Sequence, residues 1–332
     1  MPSFRTFVIA NPQSGAGSVK REWEPVERLL RAQIETLDIA FTEGPGHATL
    51  LAREALKAGW EMVVAVGGDG TINEVVNGFF EKTDTKENFT LEDGFIRRQD
   101  KYLPTPINPD AVFGFVPMGT GGDFRRTVGA MGGVNETIKL LGGTNFRQID
   151  LGHSVYVSER GPLEFRTFVN VASGGIGGLV DRMTNSMWKG LGGKLSFGLA
   201  SSVTWFKYQN RPLTVRIDDL EELQDRFFNV VIANGEYFGG GMWVAPGAQL
   251  DDGKFQVVIF SDLPRKESAT LIRKIYKAEH LGIEGVSRRN ATTVAIRPES
   301  NSTLFLDLDG ESPGQAPATF FMHPKAIRLK TA

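Results

Sequence analysis

The sequence contains no cysteine, which excludes disulfide bonds, thiol nucleophiles and Cys-ligated metal and fits a reducing compartment such as the cytoplasm. An excess of positive charge is also missing. The 37 lysines and arginines stand against 39 acidic residues, so there is no basic footprint for nucleic acid as a main partner. No apolar run reaches the roughly 20 residues of a membrane span, so any membrane contact is expected to be peripheral. Internal repeats and low-complexity tracts are absent. No signal peptide is expected, because Phe4–Ala10 already reads as a strand behind a very short leader. What remains is 41% hydrophobic and 23% charged over 332 residues, a soluble globular composition with room for two domains.

The chain is organised around MVVAVGGDGTINEVVNGFF, residues 62–80. Its β-branched opening, Met62 to Val66, reads as a strand buried on both faces. Gly67, Gly68, Asp69 and Gly70 then form a tight turn in which the backbone can approach a ligand. Thr71 and Glu74 have capping-box spacing, and Ile72, Val75, Val76, Phe79 and Phe80 keep one helical stripe. A strand, a glycine turn and a helix N-terminus present free N–H groups to a phosphate; the alternative is an ordinary tight turn.

Two more turns of this kind follow strand-like runs. Asn11–Ser18 comes after Phe4–Ala10, and Pro117–Arg126 comes after Ala111–Val116. Helices are expected from Val19 and over His47–Gly59 and Val134–Leu141, with a strand at Leu37–Phe41; His47 is read as structural. This alternation predicts a parallel, doubly wound sheet whose ligands sit beyond the carboxyl ends of the strands. Glu81–Asp110, polar and punctuated by prolines, reads as a partly mobile excursion.

After Leu151 the runs become short strands at turn-separated spacing, which predicts an antiparallel sandwich. Leu179–Gln209 and Arg265–Leu281 interrupt it and read as helical. In the first of these, Trp188 and Trp205 stand among lysines 189, 194 and 207, suiting either core packing or a patch resting on an anionic bilayer. The expected domains are 1–148, completed by 320–332, and 149–319.

An ordered set of motifs carries a family resemblance. Asn11-Pro12 with Ser14-Gly15, Gly67–Asn73 with Glu74, and Pro117–Phe124 come first. Asn234-Gly235 with Phe238–Met242, Ala245-Pro246 with Leu250–Gly253, and Asp309–Glu311 follow. Together they make the chain similar to the diacylglycerol kinase catalytic-domain family, which includes bacterial lipid kinases and the sphingosine and ceramide kinases. One Gly-Gly-Asp-Gly is shared with NAD kinases and phosphofructokinases; the order of the whole set is the specific signal.

The resemblance implies an NAD kinase/phosphofructokinase-like α/β domain that binds ATP and a β-sandwich domain, with the active site in the cleft between them. It implies nucleotide contacts at Asn11, Thr42, Gly67, Gly68, Asp69, Gly70, Thr71, Asn73 and Thr120, with Asp69 near the phosphates and their Mg²⁺. Asp309 and Glu311 match the acidic catalytic pair that includes the general base. Gln249, Asp252 and Lys254 resemble a second metal site, Asp252 through its carboxylate and the others through carbonyls, a donor set suited to Mg²⁺. Arg126, Asp150 and Lys194 sit where the family keeps charged cleft residues, and Arg126 and Lys194 are counted with the implied nucleotide contacts. On residue pattern alone, Asp251–Gly253 and Asp309–Glu311 also read as plain turns.

The implied activity is transfer of the γ-phosphate of ATP to a lipid hydroxyl such as that of diacylglycerol, at the inner face of the membrane. The alternatives are a sphingoid or ceramide-type kinase and a catalytically weak nucleotide-binding regulator. Gly122, where the family usually has Asn, and Ala16, where many members are basic, favour the regulator. The oligomeric state stays open, a homodimer included.

Overall fold

The computed structural model describes residues 4–178, 210–262, 265–299 and 302–331. The chain divides into two units. The first takes Met1–Lys82, Leu103–Leu151 and Pro324–Ala332; the second takes Thr83–Tyr102 and the described residues between Gly152 and His323.

The first unit is built on parallel strands in the order Leu37–Phe41, Thr6–Ala10, Met62–Gly67, Val112–Pro117 and the end of Gly314–Lys330. Thr6 lies opposite both Leu37 and Met62, and Met62 lies opposite Val112. Every residue of Met62–Gly67 is buried, because the strand is central and covered on both faces. Val8, Val64 and Val66 pack against Val26 and Leu30 of helix Trp23–Gln33 and Ile138 and Leu141 of helix Gly133–Leu141. Alternation sends Phe113 the other way, where it meets Phe79 edge-on at 5.9 Å beyond helix Asp69–Asn77. Helix His47–Lys57 packs beside that helix. This is the expected doubly wound α/β arrangement.

The second unit is an antiparallel sandwich, as expected. One sheet runs Glu221–Phe227, Arg211–Ile217, Thr293–Pro298, the first part of Gly314–Lys330, the part of Phe146–Ser158 from Gly152 onward, and Leu163–Phe168. The other runs Val286–Ala291, Phe255–Phe260, Asn229–Ala233, Val171–Gly175 and Leu306–Leu308. Leu213, Val215, Ile296 and Phe320 share one core with Val230, Ile232, Val257 and Leu306. The alternate residues Val231, Ala233, Val258 and Phe260 pack with Leu271 and Ile275 of helix Arg265–Tyr276.

Three expectations change. The 81–110 excursion is ordered in its middle. It holds a short helix, Thr85–Asn88, capped by Asp84, and a hairpin pairing Phe89–Glu92 with Phe95–Arg98. Asp93 and Gly94 have φ values of 52 and 77, a two-residue turn of the Asp-Gly kind that favours hairpins. Phe89 and Ile96 are buried with Val155 and Phe321, so these residues belong to the second unit's core.

The second change is the capping box. Helix Asp69–Asn77 begins two residues before Thr71, with Gly68 at the N-cap. Glu74 instead reaches the start of helix His47–Lys57, accepting from Gly46 N at 2.8 Å and Ala48 N at 3.2 Å. That helix begins after a glycine, so the Glu74 carboxylate supplies the capping oxygens that no local side chain provides.

Third, the strands do not start afresh after Leu151: one long strand, Phe146–Ser158, runs through that point. The stretch 179–209, with Lys194 and the two tryptophans weighed for membrane contact, lies outside the described residues. Among the described residues no helix is long and apolar enough to cross a membrane.

Candidate functional site

In the first unit, the turns after three adjacent parallel strands are knitted together. Asn11 Nδ2 donates to Thr71 Oγ1 at 3.1 Å, Ser14 Oγ lies 3.3 Å from the same hydroxyl, and Gly68 N donates to Ser14 Oγ at 3.3 Å. Met118 N donates to Gly67 O at 2.8 Å, holding the third turn to the second. The contact is close enough to require glycine. A Cβ on Gly119 would stand 2.3 Å from Gly68 Cα.

Asp69 closes the arrangement. Its carboxylate accepts from Gly122 N at 2.7 Å and from Asp123 N and Phe124 N at 3.2 Å each. It thereby caps helix Asp123–Thr127 from a distant part of the chain. Gly122 sits at φ 67, a left-handed backbone that Gly and Asn adopt readily. Its replacement of the family's Asn is therefore conformationally conservative. Arg126 Nη1 folds back onto Gly121 O at 2.5 Å and Gly122 O at 3.0 Å and pairs with Asp123 at 3.3 Å.

The other expected nucleotide positions lie after the neighbouring fourth strand, on the third turn and inside helix Asp69–Asn77. Thr42 follows Leu37–Phe41 and donates its N–H to Ala10 O at 2.9 Å; Thr120 is exposed on the third turn. Asn73 is buried and accepts from Asn77 Nδ2 at 3.1 Å. Asp150 accepts from Lys325 N at 2.7 Å, within this unit. Chemically, the cluster offers the N–H groups at the start of helix Asp69–Asn77 and the positive end of its dipole, a setting for phosphate.

The second unit carries the acidic pair. Asp309 and Gly310 have φ values of 51 and 85, and Leu308 and Glu311 exchange backbone hydrogen bonds at 2.8 and 3.1 Å across them. The tight-turn reading of these residues is correct, and it leaves the two carboxylates in different surroundings. Asp309 accepts from Val169 N at 2.7 Å, Asn170 N at 2.9 Å and Val171 N at 3.0 Å. Glu311 keeps 39% of its side chain exposed and pairs with Arg166 at 2.5 Å. Asp252 lies exposed in its own turn, accepting from Lys254 N at 3.0 Å; Gln249 and Lys254 are exposed nearby in the chain.

Sequence reasoning missed Ser14 as a partner of the second turn, Arg166 and Asn170. Arg166 alternates with apolar residues in strand Leu163–Phe168 and has no local signature. Asn170 is 5% exposed; besides its bond to Asp309, its carbonyl accepts from Asn234 N at 2.9 Å and Gly235 N at 2.8 Å. The quoted Asn234-Gly235 motif was the available signal for it.

Comparison with known proteins matches both units. The description "Diacylglycerol kinase catalytic domain" fits residues 5–154, and "YegS C-terminal NAD kinase beta sandwich-like domain" fits residues 170–331. A diacylglycerol kinase of Staphylococcus carnosus (strain TM300) is 29% identical over 329 residues, covering 98% of this chain and 95% of the relative. One from Staphylococcus haemolyticus (strain JCSC1435) is 28% identical over 328 residues, covering 98% and 87%. The crystal structure of a diacylglycerol kinase from Bacillus anthracis str. Sterne aligns with a TM-score of 0.66 at 18% identity, over 100% of this chain and 98% of that one. Another structure from the same strain aligns at 0.75, with 21% identity and coverage of 100% and 97%.

Proposed function

The chain belongs to the diacylglycerol kinase catalytic-domain family, and we propose that it transfers the γ-phosphate of ATP to the hydroxyl of a neutral lipid of the diacylglycerol class. The observation that supports this reading most is the convergence of three glycine-rich turns at adjacent strand ends, tied by Asn11, Ser14, Asp69 and Thr71. Phosphoryl transfer asks a protein chiefly for positioning and for neutralising phosphate charge. Rigid turns that lead into a helix N-terminus do both without reorganising during the reaction.

The lipid hydroxyl needs a proton acceptor, and the Asp309–Glu311 turn supplies it. Asp309 is committed to three backbone N–H groups and holds the turn, while Glu311, half exposed and steadied by Arg166, keeps a carboxylate open to a substrate. The residues also fit Mg²⁺. Asp252 and the carbonyls of Gln249 and Lys254 are hard oxygen donors at exposed positions. Among the described residues no cluster of three or more His, Cys, Asp or Glu is present, so carbonyls and water would complete such a site. When bound, the ion supplies positive charge that steadies the fold near these loops or offsets phosphate charge.

The test is purified protein with γ-labelled ATP and a panel of diacylglycerol, monoacylglycerol, sphingosine, ceramide and phosphatidylglycerol. Label entering diacylglycerol is the expected result. Label in sphingosine or ceramide alone moves the substrate class, and no labelled lipid overturns the reading.

A further inference from the structure

Besides the acidic turn, the second unit carries a small two-stranded hairpin outside its two main sheets. Tyr237–Phe238 pairs with Met242–Trp243, with Tyr237 opposite Trp243 and Phe238 opposite Met242. The three residues at the tip are glycines 239–241, all with positive φ. Successive side chains of a strand point to opposite faces. Accordingly Phe238 and Met242 pack on the core beside helix Arg265–Tyr276, while Tyr237 and Trp243 stack on the other face, ring centroids 5.6 Å apart and planes 18° from parallel. Both rings are part exposed.

The stacked pair is held firmly from below. Trp243 Nε1 donates to Glu236 Oε1 at 3.1 Å, and Gly247 N donates to the same oxygen at 2.7 Å. Asn170 Nδ2 donates to Tyr237 O. Asn170 is also the residue whose N–H is held by Asp309 at 2.9 Å. One buried asparagine thus joins the aromatic hairpin to the acidic turn, so the two move as one piece of the second unit.

We infer that Tyr237 and Trp243 form the platform that recognises the lipid acceptor, gripping the glyceride portion whose hydroxyl is presented to Glu311 on the turn that Asp309 holds. The inference rests on the lipid kinase reading above. A diacylglycerol places a single hydroxyl beside ester groups and apolar chains. Large flat rings with one polar edge suit such a molecule, because they bury apolar area while their N–H and O–H stay with polar partners. A rigid platform also costs little ordering on binding, since each ring has only two side-chain torsions. Asn170 acts as a positioning residue, keeping platform and carboxylates in register.

Kinetics with a diacylglycerol in mixed micelles, together with Trp fluorescence during titration by that lipid, test this. Trp243→Ala should raise the KM for lipid about tenfold, the worth of one good aromatic contact, with the KM for ATP unchanged. Trp243→Phe should recover most of the loss, and Tyr237→Ala should act in the same direction if Trp243→Ala does not fold. The wild-type fluorescence change should be lost in Trp243→Phe. A folded Trp243→Ala or Tyr237→Ala enzyme that keeps its lipid KM overturns the platform and leaves the kinase reading standing. Saturable Trp243-dependent lipid binding by a protein that labels no lipid does the reverse. A protein that neither labels nor binds the lipid overturns both.

Discussion

The carboxylate of Asp69 accepts the backbone N–H of Gly122 at 2.7 Å, joining two glycine-rich turns 53 positions apart. With Asp123 N and Phe124 N it makes three bonds of this kind. Asp69 therefore shapes the third turn whatever else it does during phosphate binding.

Asp69→Asn should fold but turn over at least a hundredfold more slowly. The substitution keeps the volume, removes the charge and points an amide donor toward N–H groups. Losing a charge-assisted bond of this type costs about 2 kcal/mol, so the thermal midpoint should fall by several degrees. Steady-state kinetics and a thermal melt check both. Wild-type turnover in a folded variant would remove Asp69 from the reaction.

Gly119→Ala tests the closeness of the turns independently of charge. Its new Cβ would lie 2.3 Å from Gly68 Cα, so backbone must shift. Weaker ATP binding by tenfold or more is expected, read by calorimetric titration, with the lipid KM little affected. Unchanged ATP affinity would mean that the turn spacing is not what receives the nucleotide.

The acidic turn should split into two behaviours. Asp309→Asn leaves three backbone N–H groups without their carboxylate, and should lower both stability and turnover. Glu311→Gln, at a part-exposed position, should keep the melting temperature within a few degrees while lowering kcat by two orders of magnitude or more. Unchanged kcat in both variants would take general-base catalysis away from this turn.

Acid should destabilise the second unit through a histidine pair. His153 Nε2 lies 3.0 Å from His323 Nδ1, and His153 Nδ1 lies 2.9 Å from Thr167 Oγ1. Burial pushes His153 well below the usual imidazole range, with the His323 and Arg98 charges adding to it. Burial and Arg98 lower His323 from 6.5 to about 4. Between those values the unfolded chain binds more protons than the folded one, so stability is complete above pH 6.5 and is lost as pH falls toward 4. The urea midpoint should drop across that window, and His323→Asn should flatten the slope. An unchanged slope would assign the acid sensitivity to carboxylates.

Much of the first unit was legible in the sequence, because its signals are local. A β-branched run followed by glycines and an apolar helical stripe specifies a strand, a turn and a helix within 19 residues, and repetition of that unit implies parallel strands with ligand loops at one end. The acidic turn was legible for the same reason, since Asp309-Gly310 is a two-residue hairpin signal. Where polarity hides the pattern, the reading failed. Strand Glu221–Phe227 has four exposed polar residues, so it shows no alternating apolar face. The hairpin at 89–98 was masked by charged neighbours, although Asp93-Gly94 marks its turn.

What only the tertiary structure decided is which groups satisfy one another at long range. Glu74 has the spacing of a local cap, yet it caps a helix 26 to 28 positions earlier. Asp309 and Glu311 look equivalent two residues apart, but one is taken up by the backbone at 169–171 while the other is steadied at one oxygen by a single arginine and stays part exposed. The link from Asp309 through Asn170 to Tyr237 crosses three separate chain segments. Local sequence dictates backbone shape because φ/ψ preferences and burial periodicity act over a few residues. A carboxylate's partner is settled by whichever unsatisfied N–H groups the finished fold brings to it, and no local rule carries that information.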